Sequence, residues 1–199
     1  MTMTHSSTSG FSVARFTRYT FGGWVLGVVL ILVLSSLLDS MGIEGMQFYL
    51  GLGMGAGVGL AQWWMLRKYA PVSSRWIAYA VFGLGLPFLI SDVFFTQFPM
   101  TYKMPILVGL GALIAGFLQA SLLQKTFPHA RQWITGSFVS WLLGVGTVFL
   151  MDFTMQIRPT QRAFTLAIAL LNLLLILGGG VLLGVTSGRS LRSILNNNR

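Results

Sequence analysis

Apolar residues fall in six long blocks, near 20–38, 46–66, 76–97, 105–124, 133–152 and 163–186, separated by short polar or proline-containing breaks. Each block is close to the twenty or so residues that a helix needs to cross the hydrocarbon of a bilayer. A chain in lipid must satisfy its backbone N–H and C=O groups internally, so the blocks are predicted to be helices. The expected fold is all-α, a polytopic transmembrane bundle of six helices arranged as three tandem helical hairpins. Arg15 and Arg18 precede the first block, which could make it a signal peptide. The apolar run is long, however, and no small-x-small cleavage site precedes Asp39, so it is read as a retained span. The chain divides into a disordered, basic tail over 1–19, a transmembrane domain over 20–187 and a basic tail over 188–199.

Composition supports lipid as the solvent. The 199 residues are 54% hydrophobic and only 9% charged, where a soluble protein carries about 25%. The formal net charge is +9. In this setting it is assigned to headgroup contact and orientation, and no nucleic-acid partner is expected. Of the 13 basic residues, all but Lys103, Arg158 and Arg162 fall on one side when the breaks are assigned alternately to the two sides. The positive-inside rule then puts both termini in the cytoplasm of a multi-pass cell-membrane protein. The four acidic residues, Asp39, Glu44, Asp92 and Asp152, fall on the other side.

One segment occurs twice. "LRKYAPVSSRWI" at 66–77 and "LQKTFPHARQWI" at 123–134 share Leu, Lys, Pro, Trp and Ile in one register, and the match extends back through "GLAQWWMLRK" and "GFLQASLLQK". The segment "GVLLGVTSGR" at 180–189 keeps the first Gly and the final basic residue. Among the odd helices, "FGGWVLG" at 21–27 echoes "FVSWLLG" at 138–144, and Asp39, Asp92 and Asp152 each end one. The doubled segment is expected to be a cytoplasmic turn. Lys68 and Lys125 would snorkel to the headgroups, Pro71 and Pro128 would stop the helix, and Trp76 and Trp133 would anchor the next helix at the interface.

Glycine and the few polar residues supply the remaining candidates. In "GLGMGAGVG", Gly51, Gly55 and Gly59 share a helical face suited to close helix packing. Gly109, Ala112 and Gly116 form a similar face on the fourth helix, as do Gly180 and Gly184 on the sixth. A phosphate-binding reading fails, because no strand precedes the segment and no Gly-Lys-Ser/Thr follows. Asp92 lies near the inner edge of the outer interface, and Gln62, Gln119 and Asn172 lie within spans. The four are the candidates for a polar intramembrane or solute site. The competing reading is structural: an ion pair of Asp92 with Lys103, Arg158 or Arg162, and interhelical hydrogen bonds for the amides.

Signals for chemistry are poor. There is no Cys, hence no disulfide, thiolate nucleophile or iron–sulfur centre. His5 and His129 lie outside the spans, no acid–histidine cluster has metal-ligand spacing, and Ser187 and Ser190 have no base in reach of the sequence pattern. No catalytic residue, metal or cofactor is assigned, and the chain is not read as an enzyme.

"GLAQWWMLRK" followed by Pro71 and "RWI" resembles a motif of uncharacterised bacterial multi-pass membrane proteins, Gly-Leu-x-Gln-Trp-x-x-Leu-Arg before a Trp-led helix. The resemblance covers about 20 residues and implies bacterial origin and membrane location. Length, six spans and cytoplasmic termini are also similar to the substrate-binding subunits of energy-coupling-factor vitamin transporters, a likeness of architecture alone. The functional expectation is solute binding or transport, alone or as a membrane subunit, with the solute unknown. The alternative is a non-catalytic scaffold or assembly subunit. Partners are then the lipid bilayer and either another membrane protein or a second copy of the chain.

Overall fold

The computed structural model describes residues 10–43, 45–95, 100–155 and 162–196. His5, Glu44, Arg158 and Arg199 lie outside the described residues, as do the side chains of Asp152 and Arg162. The described residues form six helices and no strand: α1 (Val13–Ser40), α2 (Phe48–Leu66), α3 (Arg75–Phe94), α4 (Met100–Leu123), α5 (Gln132–Met155) and α6 (Arg162–Asn196). The end helices run past the spans expected from hydropathy. Ser12 starts α1 by accepting a hydrogen bond from the Arg15 N–H at 3.3 Å, which satisfies one of the helix's orphan donors. The last turns of α6 persist because Leu191, Ile194 and Leu195 are buried.

Five helices are long and apolar enough to cross a membrane. The sequence predicts six, and α2 is the exception. Its 19 residues make a helix about 28 Å long, so length is not what it lacks. The glycines at every second position from 51 to 59 replace apolar side chains and lower its hydropathy. The structure gives the reason for them. A Cβ at Gly55 would lie 2.6 Å from the Ala80 carbonyl oxygen of α3, and one at Gly57 would strike the Gly23 carbonyl oxygen of α1. Helix α2 is thus squeezed on both sides, where the sequence shows only the face carrying Gly51, Gly55 and Gly59.

The helices form a closed ring. Each packs on its neighbour in the chain, and α6 packs on α1. The same contact recurs at alternate junctions. Gly59 of α2 faces Ile77 of α3, Gly116 of α4 faces Ile134 of α5, and Gly184 of α6 faces Thr17 of α1. Gly184, rather than Gly180, therefore stands in the place of Gly59 and Gly116. Gly180 holds the ring shut in another way: a Cβ there would lie 2.8 Å from Cγ of Trp24, so only glycine lets that indole lie against α6.

The doubled segment folds the same way twice. Ala70 N–H donates to Leu66 O at 2.9 Å and Phe127 N–H to Leu123 O at 2.8 Å; Trp76 N–H donates to Ser73 O at 3.1 Å and Trp133 N–H to Ala130 O at 2.9 Å. Outside the ring, large apolar residues such as Leu32, Ile106, Phe117, Leu166 and Leu174 are more than 60% exposed. Water does not support an apolar belt of this extent, whereas lipid does.

Candidate functional site

The interior of the ring has two unlike halves. At the end where α1 starts and α6 finishes, the start of each odd helix meets the end of each even helix in a packed layer. Phe16, Trp76 and Trp133 occupy matching positions on α1, α3 and α5, and Leu66, Leu123 and Leu191 match on α2, α4 and α6; all six are buried. The Trp76 and Trp133 rings lie 5.3 Å apart. These two indoles were expected at the membrane interface, and the structure corrects that reading by turning them into the core. Their helices converge here on large side chains, and the rings fill the axis of the bundle. Lys68 and Lys125 are exposed at the same end.

In the opposite half the helices surround a partly open cavity of about 180 Å³. All six helices line it, again at matching positions. Trp24, Leu84 and Trp141 form one tier, with Val28, Phe88 and Val145 beside them; Gly51, Val108 and Ile176 come from the even helices. Met54, Met104 and Met151 add flexible thioethers, which adapt to irregular apolar shapes. Among the described residues, the lining holds no carboxylate, amine, amide or hydroxyl side chain. The engineered protein cavity that stays dry and takes up benzene or xenon is of similar size, about 150 Å³.

The four polar candidates do not converge, and none lines the cavity. Asp92 ends its reach at a helix start. Its Oδ2 accepts the Gln47 and Phe48 N–H groups, each at 2.7 Å, so it caps α2 from α3 and favours the helix dipole there. Lys103, one of its expected ion partners, donates instead to the Phe95 carbonyl. Gln119 is buried in the packed layer, where Oε1 accepts Trp133 Nε1–H at 2.9 Å and Nε2 donates to Trp76 O at 3.4 Å. Gln62 is buried at the matching position on α2. Asn172 Oδ1 accepts the Thr154 hydroxyl, tying α6 to α5. Among the described residues, three buried polar side-chain atoms have no partner: Thr20 Oγ1, Trp24 Nε1 and Trp76 Nε1. Among the described residues, no group of three His, Cys, Asp or Glu is placed to hold a metal ion.

Sequence reasoning missed the cavity-lining residues, because apolar side chains in apolar helices carry no polarity signal. One cue was present: the Trp shared by "FGGWVLG" and "FVSWLLG" is the Trp24–Trp141 pair, whose rings lie 6.2 Å apart beside the cavity. No family model, no curated protein and no solved structure matches the chain.

Proposed function

We propose that this is a multi-pass membrane protein that binds or carries an apolar small molecule in the cavity between its six helices. The reading rests on one observation. The cavity is built by every helix of the ring, and its described lining is aliphatic, thioether and aromatic. A polar solute would lose its hydration there and meet no side-chain donor other than an indole N–H, at a cost of several kcal/mol per group left unpaired. An apolar molecule loses nothing of that kind and gains close contacts. The basic ends orient the chain with both termini cytoplasmic, by the positive-inside rule. The cavity then lies in the outer half of the cell membrane, and the aromatic layer seals it from the cytoplasm. The recurrent contacts are read as three copies of one hairpin, a duplication that gives the ring its closure.

The test is purification in mild detergent followed by mass spectrometry of extracted small molecules, for the wild type and for Val145→Phe. The expected result is an apolar molecule that accompanies the wild type and is lost from the variant, whose larger ring fills the cavity. Equal recovery from both proteins would count against the cavity as the site. The sealed layer favours a second reading, a non-catalytic scaffold, because it leaves no polar route along the ring. A stoichiometric protein partner without a bound small molecule would establish that reading instead.

A further inference from the structure

On the outside of the ring, α1 and α2 are separated by a groove of about 450 Å³ at the basic end. Gly22, Gly23 and Ala61 form its floor, and Leu26, Leu60 and Trp64 its walls. Arg18 and Tyr19 stand at its mouth. The Lys68 ammonium lies 5.6 Å from the centre of the Tyr19 ring, and the Arg67 guanidinium lies 4.1 Å from that of Trp64. Three exposed cations therefore crown one apolar slot. Asp39 and Asp92 lie near the ends of α1 and α3, at the opposite end of the ring, so neither of these carboxylates competes for the cations.

At the matching positions of the other two hairpins the slot is filled. Positions that match in the recurrent packing place Gly22 with Phe82 and Val139, Arg18 with Ala78 and Thr135, and Ala61 with Leu118 and Thr186. Phe82 and Val139 project outward, 55% and 44% exposed, and occupy the space that Gly22 leaves empty; a Cβ at Gly22 would meet nothing within 4 Å. The side chains that would fill the slot are thus absent only where a guanidinium has been added at its mouth.

We infer that the α1/α2 groove is a binding site for an anionic phospholipid of the adjacent leaflet, with an acyl chain along Gly22, Gly23 and Ala61 and the phosphate among Arg18, Arg67 and Lys68. From Arg18 to Leu26 the groove runs about 12 Å along α1, which accommodates the upper part of one acyl chain. A basic residue near the headgroups favours an anionic lipid by about fivefold.

Quenching of Trp64 tests the site. The full chain is reconstituted in phosphatidylcholine vesicles that contain brominated phosphatidylglycerol or, at the same mole fraction, brominated phosphatidylcholine. The Trp64→Phe variant identifies the share of fluorescence that comes from that indole. The anionic lipid is expected to bind at least about fivefold more tightly than the neutral one. That preference is expected to vanish in Arg18→Gln/Lys68→Gln. In Gly22→Phe, which keeps every charge but fills the slot, quenching of Trp64 is expected to fall. Equal quenching by the two lipids in the wild type overturns the proposal. So does loss of preference in the charge variant with unchanged quenching in Gly22→Phe, which would reveal diffuse attraction without a seated chain. Shielding of Trp64 from both lipids, with cross-linking between copies through this face, overturns it in favour of a dimer contact.

Discussion

The two halves of the ring use the same scheme of matching positions and reach opposite results. At the basic end, Phe16, Trp76 and Trp133 face Leu66, Leu123 and Leu191, and large side chains on both sets of helices fill the axis. In the other half, Trp24, Leu84 and Trp141 are as large, but the even helices answer with Gly51, Val108 and Ile176, and a void remains. The difference lies in side-chain volume, since these matching positions are apolar in both halves. A protein interior is normally packed to the density of an organic crystal, so a shared void among six helices is a feature to be explained by occupancy. The filled half, by contrast, is explained by stability alone.

Truncation separates the halves most strongly. Trp133→Ala removes a fully buried indole from the filled layer and strands Gln119 Oε1, and is expected to cost about 3–5 kcal/mol. Trp141→Ala enlarges a space that already exists, so its indole forfeits fewer contacts and the loss should be clearly smaller. Reversible unfolding of the two variants in mixed micelles measures both; equal losses would show that the cavity half is as tightly packed in the membrane as the layer.

Enlargement reverses the order. Ala120 is 1% exposed inside the filled layer, and Ala120→Phe is expected to destabilise by about 1–3 kcal/mol through overpacking. Val108→Phe projects into the cavity and should leave the unfolding midpoint of the empty protein unchanged or raised. A large loss in Val108→Phe would mean that the void does not persist in lipid.

This contrast marks how far the sequence could be read. Helix number, hairpin order, the basic end and the small-residue face of Gly51, Gly55 and Gly59 follow from hydropathy, charge and spacing, which are local properties. The inward turn of Trp76 and Trp133 does not, because a helix that is apolar all round gives no sign of which face is interior. The second glycine face of α2, at Gly53 and Gly57, becomes intelligible only when α1 and α3 are both in place. Asp92 looked like an intramembrane site because its role depends on a helix start far away in the chain, at Gln47 and Phe48. The cavity depends on the difference between summed volumes across six helices, a quantity that no single segment contains.

Asp92 offers a mid-sized effect outside both halves. Asp92→Ala leaves the first turn of α2 without its acceptor and should destabilise the protein by about 1 kcal/mol, with no change in the recovery of a bound apolar molecule. Recovery that falls with unaltered stability would move Asp92 from a capping role into the binding site.

The smallest effect tests the matching positions one hydrogen bond at a time. Trp133 and Trp76 are equivalent in burial, but only Trp133 has a partner for its indole N–H, on Gln119, while Trp76 Nε1 has none. Phenylalanine keeps much of the ring and removes the donor. Trp133→Phe therefore loses a buried interhelical bond, a term that averages about 0.6 kcal/mol within membranes. Trp76→Phe relieves an unsatisfied donor, whose burial is itself unfavourable, and is expected to be neutral or slightly stabilising. If Trp76→Phe instead costs as much as Trp133→Phe, the Trp76 N–H has a partner in the membrane. Gln62, which holds on α2 the position that Gln119 holds on α4, is the side chain placed to supply it.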